Sequence, residues 1–219
     1  MASEAVQDYL KQIYLLQRRG DGRATTSALA DAIGVSAASA TAMVKKLAGL
    51  GFVEHQPYHG VQLTEAGERV ALEMLRHHRL LELYLTRALG LTWDQVHREA
   101  ERLEHVLSDE LEESIDRALG YPETDPHGDP IPTANLEIAP DAALELGALE
   151  PGQLAVVRQV PDGDPLLLRY LGQLGLVPDA RVELVDKAPF GGPVTVSVEG
   201  ARRALGIDLA ARIRVEVPL

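Results

Sequence analysis

Apolar positions follow a helical and then a strand period through the first third of the chain. Val6, Leu10, Ile13, Tyr14 and Leu16 form one stripe and predict a helix from Ser3 to about Arg19, closed by a Gly20-Asp21-Gly22 turn. A short helix from Ser27 to Ile33 then stops at Gly34, and a longer one begins near Ser36 and ends at Gly49 to Gly51. Phe52-Val53-Glu54-His55 and Gly60-Val61-Gln62-Leu63 read as two strands around a Gln56-Pro57-Tyr58-His59 turn. Two helices on a short glycine turn, with Ala30 where they must approach closely, followed by a hairpin, make the plan of a winged helix-turn-helix. On that plan the small residues Ser36, Ala38, Ser39 and Ala42 lie nearest the base edges, and Arg23, Lys45, Lys46 and His59 are placed for phosphates.

Beyond the hairpin, Thr64 caps a helix of some 25 residues that runs through Leu72, Leu75, Leu80, Leu83 and Leu85 to Gly90. It is apolar over more than one face, which suggests burial against a second copy of the chain. Thr92-Trp93-Asp94-Gln95 reads as a capping box opening the next helix, and Asp109 to Leu119 gives another, ended by Gly120. Tyr121 to Pro132 holds four prolines in twelve residues and is expected to be an extended connector. Thereafter the pattern changes to short alternating runs, at Leu154–Val160, Arg181–Asp186, Val194–Glu199 and Ile213–Val217, with one helix from Pro165 to Leu174. Such runs suggest a small β-barrel.

Composition alters this picture in two places. Zero cysteines exclude disulfides, thiol catalysis and thiolate metal sites, so any metal must be held by nitrogen and oxygen. The net charge of −12 argues against nucleic acid, but residues 1–63 carry six Lys/Arg against five Asp/Glu, whereas residues 64–135 carry seven against 16. The acidity belongs to the middle, where a bound dication would offset it. No apolar run approaches the ~20 residues of a membrane span, and the N-terminus lacks a signal pattern, so a cytoplasmic protein without membrane partners is expected.

The stretch Arg76–Ser108 holds four of the seven histidines. His78 and Glu82 stand four apart; His97, Glu101, Glu104 and His105 step by four, three and one, so on one helix they share a side. Imidazole with several carboxylates suits a divalent cation. The same residues also read as a solvated charged face, and that alternative stays open at this point. Asp8 by itself reads as a solvated aspartate, His127 as a solvated loop histidine, and Asp164 either as a helix cap or as a metal ligand. HExxH is absent and no nucleophile–base pair stands out, so the chain is read as a regulator and not an enzyme.

The winged helix, the stretches RHHRLLE and VHREAERLEHVLSDELE, the DPHGDPIP connector and the small barrel together resemble the diphtheria toxin repressor family of metal-dependent transcriptional regulators. The resemblance implies a mainly α fold with small β, in three domains: a winged-helix DNA-binding domain (1–73), a helical metal-binding and dimerisation domain (74–135) and an SH3-like, FeoA-like barrel (136–219). It implies two metal sites per subunit. One maps to His78, Glu82 and His97, with Asp164 near the position from which the barrel can complete it. The other maps to Asp8, Glu101, Glu104 and His105. Iron-type members have Met and Cys where this chain has Asp8 and Glu101; the two carboxylates harden the site and resemble the manganese branch. That branch has Glu where this chain has Lys11. The expected function is a homodimeric, Mn(II)-dependent regulator of metal-uptake genes, a repressor in the family's pattern, binding a palindromic duplex operator, with Fe(II), Co(II), Zn(II) or Cd(II) as substitutes. An Fe(II) regulator, or a winged-helix regulator of a small organic ligand, is the alternative.

Overall fold

The computed structural model describes residues 3–20, 22–56, 59–139 and 142–218. The chain divides into two compact units: residues 1–78, 101–112 and 132–138 form the first, and 79–100, 113–131 and 139–219 the second.

In the first unit α1 (Glu4–Arg19), α2 (Thr26–Ile33) and α3 (Ala37–Gly49) precede the strands β1 (Val53–Gln56) and β2 (Gly60–Leu63). Each boundary has a local cause. The Thr25 hydroxyl accepts from Ala28 N and that of Ser36 from Ser39 N, while Gly34 turns left-handed at φ 74° to stop α2. β1 and β2 pair antiparallel, Val53 opposite Leu63 and Gln56 opposite Gly60. Pro57 and Tyr58 of the expected turn, and Asp21 of the turn after α1, lie outside the described residues. Val6, Leu10, Ile13, Leu29, Ala40, Val44, Leu47 and Val61 close one core with Leu72 and Leu75 of α4 (Glu65–Leu89). Thr64 caps α4 as expected, accepting from Gly67 N at 3.2 Å.

Two expectations for the central stretch need correction. Thr92 to Gln95 is a turn, closed by Gln95 N donating to Thr92 O, and α5 (Val96–Leu103) opens only at Val96. Nor does that helix carry His105: from Glu104 to Val106 the chain tightens into a 3-10 turn before α6 (Asp109–Leu119). Three residues per turn instead of 3.6 change which side chains share a face.

The second unit is built around a six-stranded antiparallel sheet in the order β3-β8-β4-β5-β6-β7, the small β domain that the alternating runs implied. Its strands are β3 (Leu144–Glu145), β4 (Leu154–Gln159), β5 (Arg181–Lys187), β6 (Val194–Val198), β7 (Ala201–Leu205) and β8 (Arg214–Glu216); α7 (Pro165–Leu174) and α8 (Ile207–Arg212) join them. β3, β7 and α8 were not legible in the sequence. β7 reads Ala-Arg-Arg-Ala-Leu, with no apolar alternation, and is a strand because the tight Glu199-Gly200 turn, φ 50° and 79°, folds it back on β6.

The connector is seated on this unit. Asp125 Oδ1 accepts from His127 N (2.8 Å) and Asp129 N (2.9 Å), and His127 O accepts from Val160 N (3.0 Å). Gly128 stands at φ 89°, where an added Cβ would lie 1.7 Å from Arg158 O. We therefore expect Gly128→Ala to lift the connector and lower stability by at least about 2 kcal/mol, read as thermal and urea unfolding. Gly152→Ala, at φ 84° but with open space around it, serves as the control and should cost less.

Candidate metal centre

In the first unit, three ligand atoms of Asp8, Glu104 and His105 lie within 4.8 Å of one another. α1 presents Asp8, and the 3-10 turn presents the other two on consecutive residues. His105 Nδ1–H donates to Gln7 Oε1 (2.9 Å), which turns Nε2 toward Asp8 Oδ1 at 3.1 Å. A ring whose far nitrogen is tied to an acceptor is oriented as metal-ligating imidazoles are. Glu104 is buried, with Oε1 at 2.5 Å from Lys11 Nζ and Oε2 at 2.5 Å from His78 Nδ1. Burial alone would raise its carboxyl; the bonds from His78 and Lys11 outweigh it and hold the group below the ordinary carboxylate range. Burial pushes Asp8 up, with Glu104 and Glu101 adding to the rise against His105 and Lys11.

His77 was not singled out by the sequence, and its role is positional. Nδ1 meets Glu104 O (3.0 Å) and Nε2 donates to Glu112 Oε2 (2.7 Å), so both nitrogens are engaged. Burial would lower it, but Glu112 and the Glu104 carbonyl raise it above the ordinary imidazole value. It pins the backbone from which the Glu104 side chain springs.

The second unit holds another cluster: ligand atoms of Glu82, Asp125 and His127, all buried, also lie within 4.8 Å of one another. This corrects the reading of His127 as a solvated loop histidine, since it is 0% exposed. Its Nε2–H donates to Trp93 O (2.9 Å) and its ring stacks on Trp93 at 5.7 Å, leaving Nδ1 toward Glu82 Oε2 at 3.7 Å. Among the described residues, His127 Nδ1 and Asp125 Oδ2 are buried without a hydrogen-bond partner. Two convergent ligand atoms without hydrogen bonds, beside a second carboxylate, fit a metal ion. The signal available in the sequence was the Asp-x-His spacing of the connector; what hid it was the expectation that a proline-rich segment stays in solvent.

The remaining candidates are distributed as follows. Glu82 Oε1 accepts from His97 Nδ1 at 3.1 Å, and His78 precedes Glu82 by one turn of α4. Glu101, on α5, is exposed and is not one of the three residues whose ligand atoms converge, although it lies close enough to Asp8 to raise that carboxyl. Asp164 caps α7, accepting from Leu166 N at 2.8 Å, and joins no cluster among the described residues. On α3 the DNA-facing candidates Ala38, Ser39, Ala42, Lys45 and Lys46 are exposed opposite the buried Ala40, Val44 and Leu47; Ser36 and His59 are exposed and Arg23 is half-buried.

Burial would lower His127, yet Glu82 and Asp125 raise it to about 9 from the ordinary 6.5. A raised imidazole stabilises the fold fully below the unfolded value of 6.5, and the contribution disappears as pH climbs through about 9. For metal-stripped protein we expect up to about 3 kcal/mol of unfolding free energy to be lost between about pH 6 and pH 10. Urea titrations across that range check it, and His127→Gln should flatten the profile.

Comparison with known proteins follows the same division. Residues 1–61 match the iron dependent repressor N-terminal DNA binding domain, 64–133 the iron dependent repressor metal binding and dimerisation domain, and 144–217 the FeoA domain. The iron-dependent repressor IdeR of Mycobacterium tuberculosis (strain ATCC 25618 / H37Rv) is 34% identical over 222 residues, covering 95% of each chain. A solved manganese-dependent transcriptional repressor in complex with manganese is 42% identical with a TM-score of 0.90, covering 97% of this chain and 100% of that one. The manganese regulator SloR is 32% identical with a TM-score of 0.82, covering 97% and 98%. No single helix among the described residues is long and apolar enough to cross a membrane. The chain belongs to the iron-dependent repressor family, that of the diphtheria toxin repressor, and is a metal-dependent, DNA-binding transcriptional repressor.

Proposed function

We propose that this repressor responds to Mn(II), acts as a cytoplasmic homodimer on a palindromic operator, and controls metal-uptake and homeostasis genes. The observation that carries the reading is the ligand chemistry: Asp8, Glu104 and His105, and likewise Glu82, Asp125 and His127, each bring two carboxylates to one imidazole, and the chain has no cysteine. Hard oxygen donors suit Mn(II), whereas thiolate and thioether select softer ions. The solved manganese-bound relative supports the same choice.

One site is Asp8, Glu104 and His105, with Glu101 close enough to be drawn in. The other is centred on Glu82, flanked by His97 and by Asp125 with His127; His78, one turn earlier on the same helix, is its further candidate, and Asp164 remains the β domain's. The ion supplies a dipositive charge that draws carboxylates together. Asp8 converts that charge into a constraint on α1, because it is held to the 3-10 turn that carries Glu104 and His105. His77 keeps the turn in register, and His127 gives up its Nδ1 proton when a ligand atom is needed there. A fixed α1 sets the angle at which α3 is presented, so that two copies can meet successive major grooves about 34 Å apart. Ser36, Ala38, Ser39 and Ala42 then approach base edges, while Lys45, Lys46, Arg23 and His59 meet phosphates. The three domains 1–73, 74–135 and 136–219 would carry the DNA contact, the metal sites with the dimer, and the β domain.

The test is retention of a genomic duplex-DNA library by metal-stripped protein at fixed salt, with Mn(II), Fe(II) or chelator. Retention of a few palindromic sequences only with Mn(II) is expected; equal retention in chelator would sink metal control. Glu104→Gln should remove the metal-stimulated part. Lys45→Ala should weaken binding across all sequences and reduce the salt slope by about one; a loss confined to one base position would refute its phosphate role. Because Trp93 is the chain's single tryptophan and stacks on His127, Mn(II) quenching of its fluorescence should report the second site, and Asp125→Asn should abolish that quenching.

A further inference from the structure

Lys11 is a lysine in an unusual place. It is 5% exposed, and its ammonium stands 2.5 Å from Oε1 of Glu104, a carboxylate with no exposed surface. The same ammonium lies close enough to Asp8 to pull that carboxyl down against its burial. It therefore faces two of the three ligand residues of the first cluster. The other Glu104 oxygen is held by His78 Nδ1, so both carboxylate oxygens are engaged. An ion ligated by Asp8, Glu104 and His105 takes its place on the Oε1 side, where His105 Nε2 also lies, 3.7 Å from Oε1.

We infer that Lys11 is an internal cation that competes with the metal for Glu104 and so sets the metal concentration at which the repressor responds. This rests on the reading of Asp8, Glu104 and His105 as a metal site. The physics is simple. Two cations cannot approach one buried oxygen together without strong repulsion, since little water screens them. Without metal, Lys11 compensates the buried charge of Glu104. For a dication to bind Oε1, the ammonium must withdraw on its four-carbon stem and find a new partner or solvent. That withdrawal is subtracted from the affinity of the site. A lysine suits the task, because its single charged end rides on a flexible chain, where an arginine fork would be locked by several bonds.

The experiment is isothermal titration of Mn(II) into chelator-stripped full-length protein, with folding checked by circular dichroism. Lys11→Gln keeps a hydrogen bond to Glu104 but removes the charge; Lys11→Met removes both. We expect Lys11→Gln to bind Mn(II) at this site at least tenfold more tightly, to need correspondingly less Mn(II) for operator binding, and to be less stable without metal. Lys11→Arg keeps the charge on a fork held by more bonds and should bind Mn(II) more weakly than wild type. His105→Ala identifies the site by deleting its class of Mn(II) binding. If His105→Ala deletes nothing, the metal-site reading fails and this inference falls with it. If the site is deleted by His105→Ala but Lys11→Gln and Lys11→Met bind Mn(II) no more tightly than wild type, Lys11 is only a structural partner of Glu104 and the inference alone is overturned. Should Lys11→Met fail to fold, the Lys11→Gln titration decides.

Discussion

Burying a carboxylate is unfavourable unless positive charge or hydrogen-bond donors meet it, and the arrangement around α4 follows from that constraint. Glu104 and Glu82 have no exposed side-chain surface. Glu104 is met by Lys11 and His78, Glu82 by His97 with His127 facing its other oxygen. Neighbouring carboxylates add to the demand: burial, Asp129 and Glu82 push Asp125 well above the ordinary range, against Arg79 and His127. Within the protein, lysine, arginine and imidazolium meet this demand. A dication would meet it with twice the charge at one point.

The proton and the lysine thus occupy the ground that a metal would take. His127 is raised to about 9 because it faces carboxylates, and ligation at Nδ1 would displace its proton. Lys11 serves Glu104 in the same way without needing to lose its charge. On the proposed reading, regulation by a metal amounts to exchange of internal cations for an external one, and the conformational consequence follows from where the proposed ligands are attached. Asp8 is on the first helix of the DNA-binding fold, and Glu104 and His105 are on a separate segment of the chain. Holding them together restrains the helix that supports α3.

The fold was legible to the extent that local signals were strong. Gly34, Gly90 and Gly120 stop helices with left-handed backbone, and Ser36 and Thr64 start them, where the sequence placed them. The apolar alternation of β4, β5 and β6 marked the β domain. β7 escaped because a strand of alanine and arginine carries no periodic signal, and it exists through pairing with β6. The start of α5 escaped because Thr92 forms a turn in place of the expected cap.

By itself, the sequence determined the ligand inventory and its hardness: no thiolate, seven histidines, and acidic residues concentrated in the middle of the chain. It also determined the winged-helix plan, since helix stops, caps and hairpin strands are local properties. What only the tertiary structure decided is which ligands meet. A helical wheel put Glu101, Glu104 and His105 on one face, but the chain tightens into a 3-10 turn at Glu104, whose buried carboxylate meets Lys11 and His78, while Glu101 stays on the exposed side of α5. A proline-rich connector promised a solvated His127, but Asp125 bends it and Gly128 seats it against β4, burying the imidazole beside Glu82. Both outcomes depend on contacts between residues far apart in the chain, and spacing along a sequence carries no record of those.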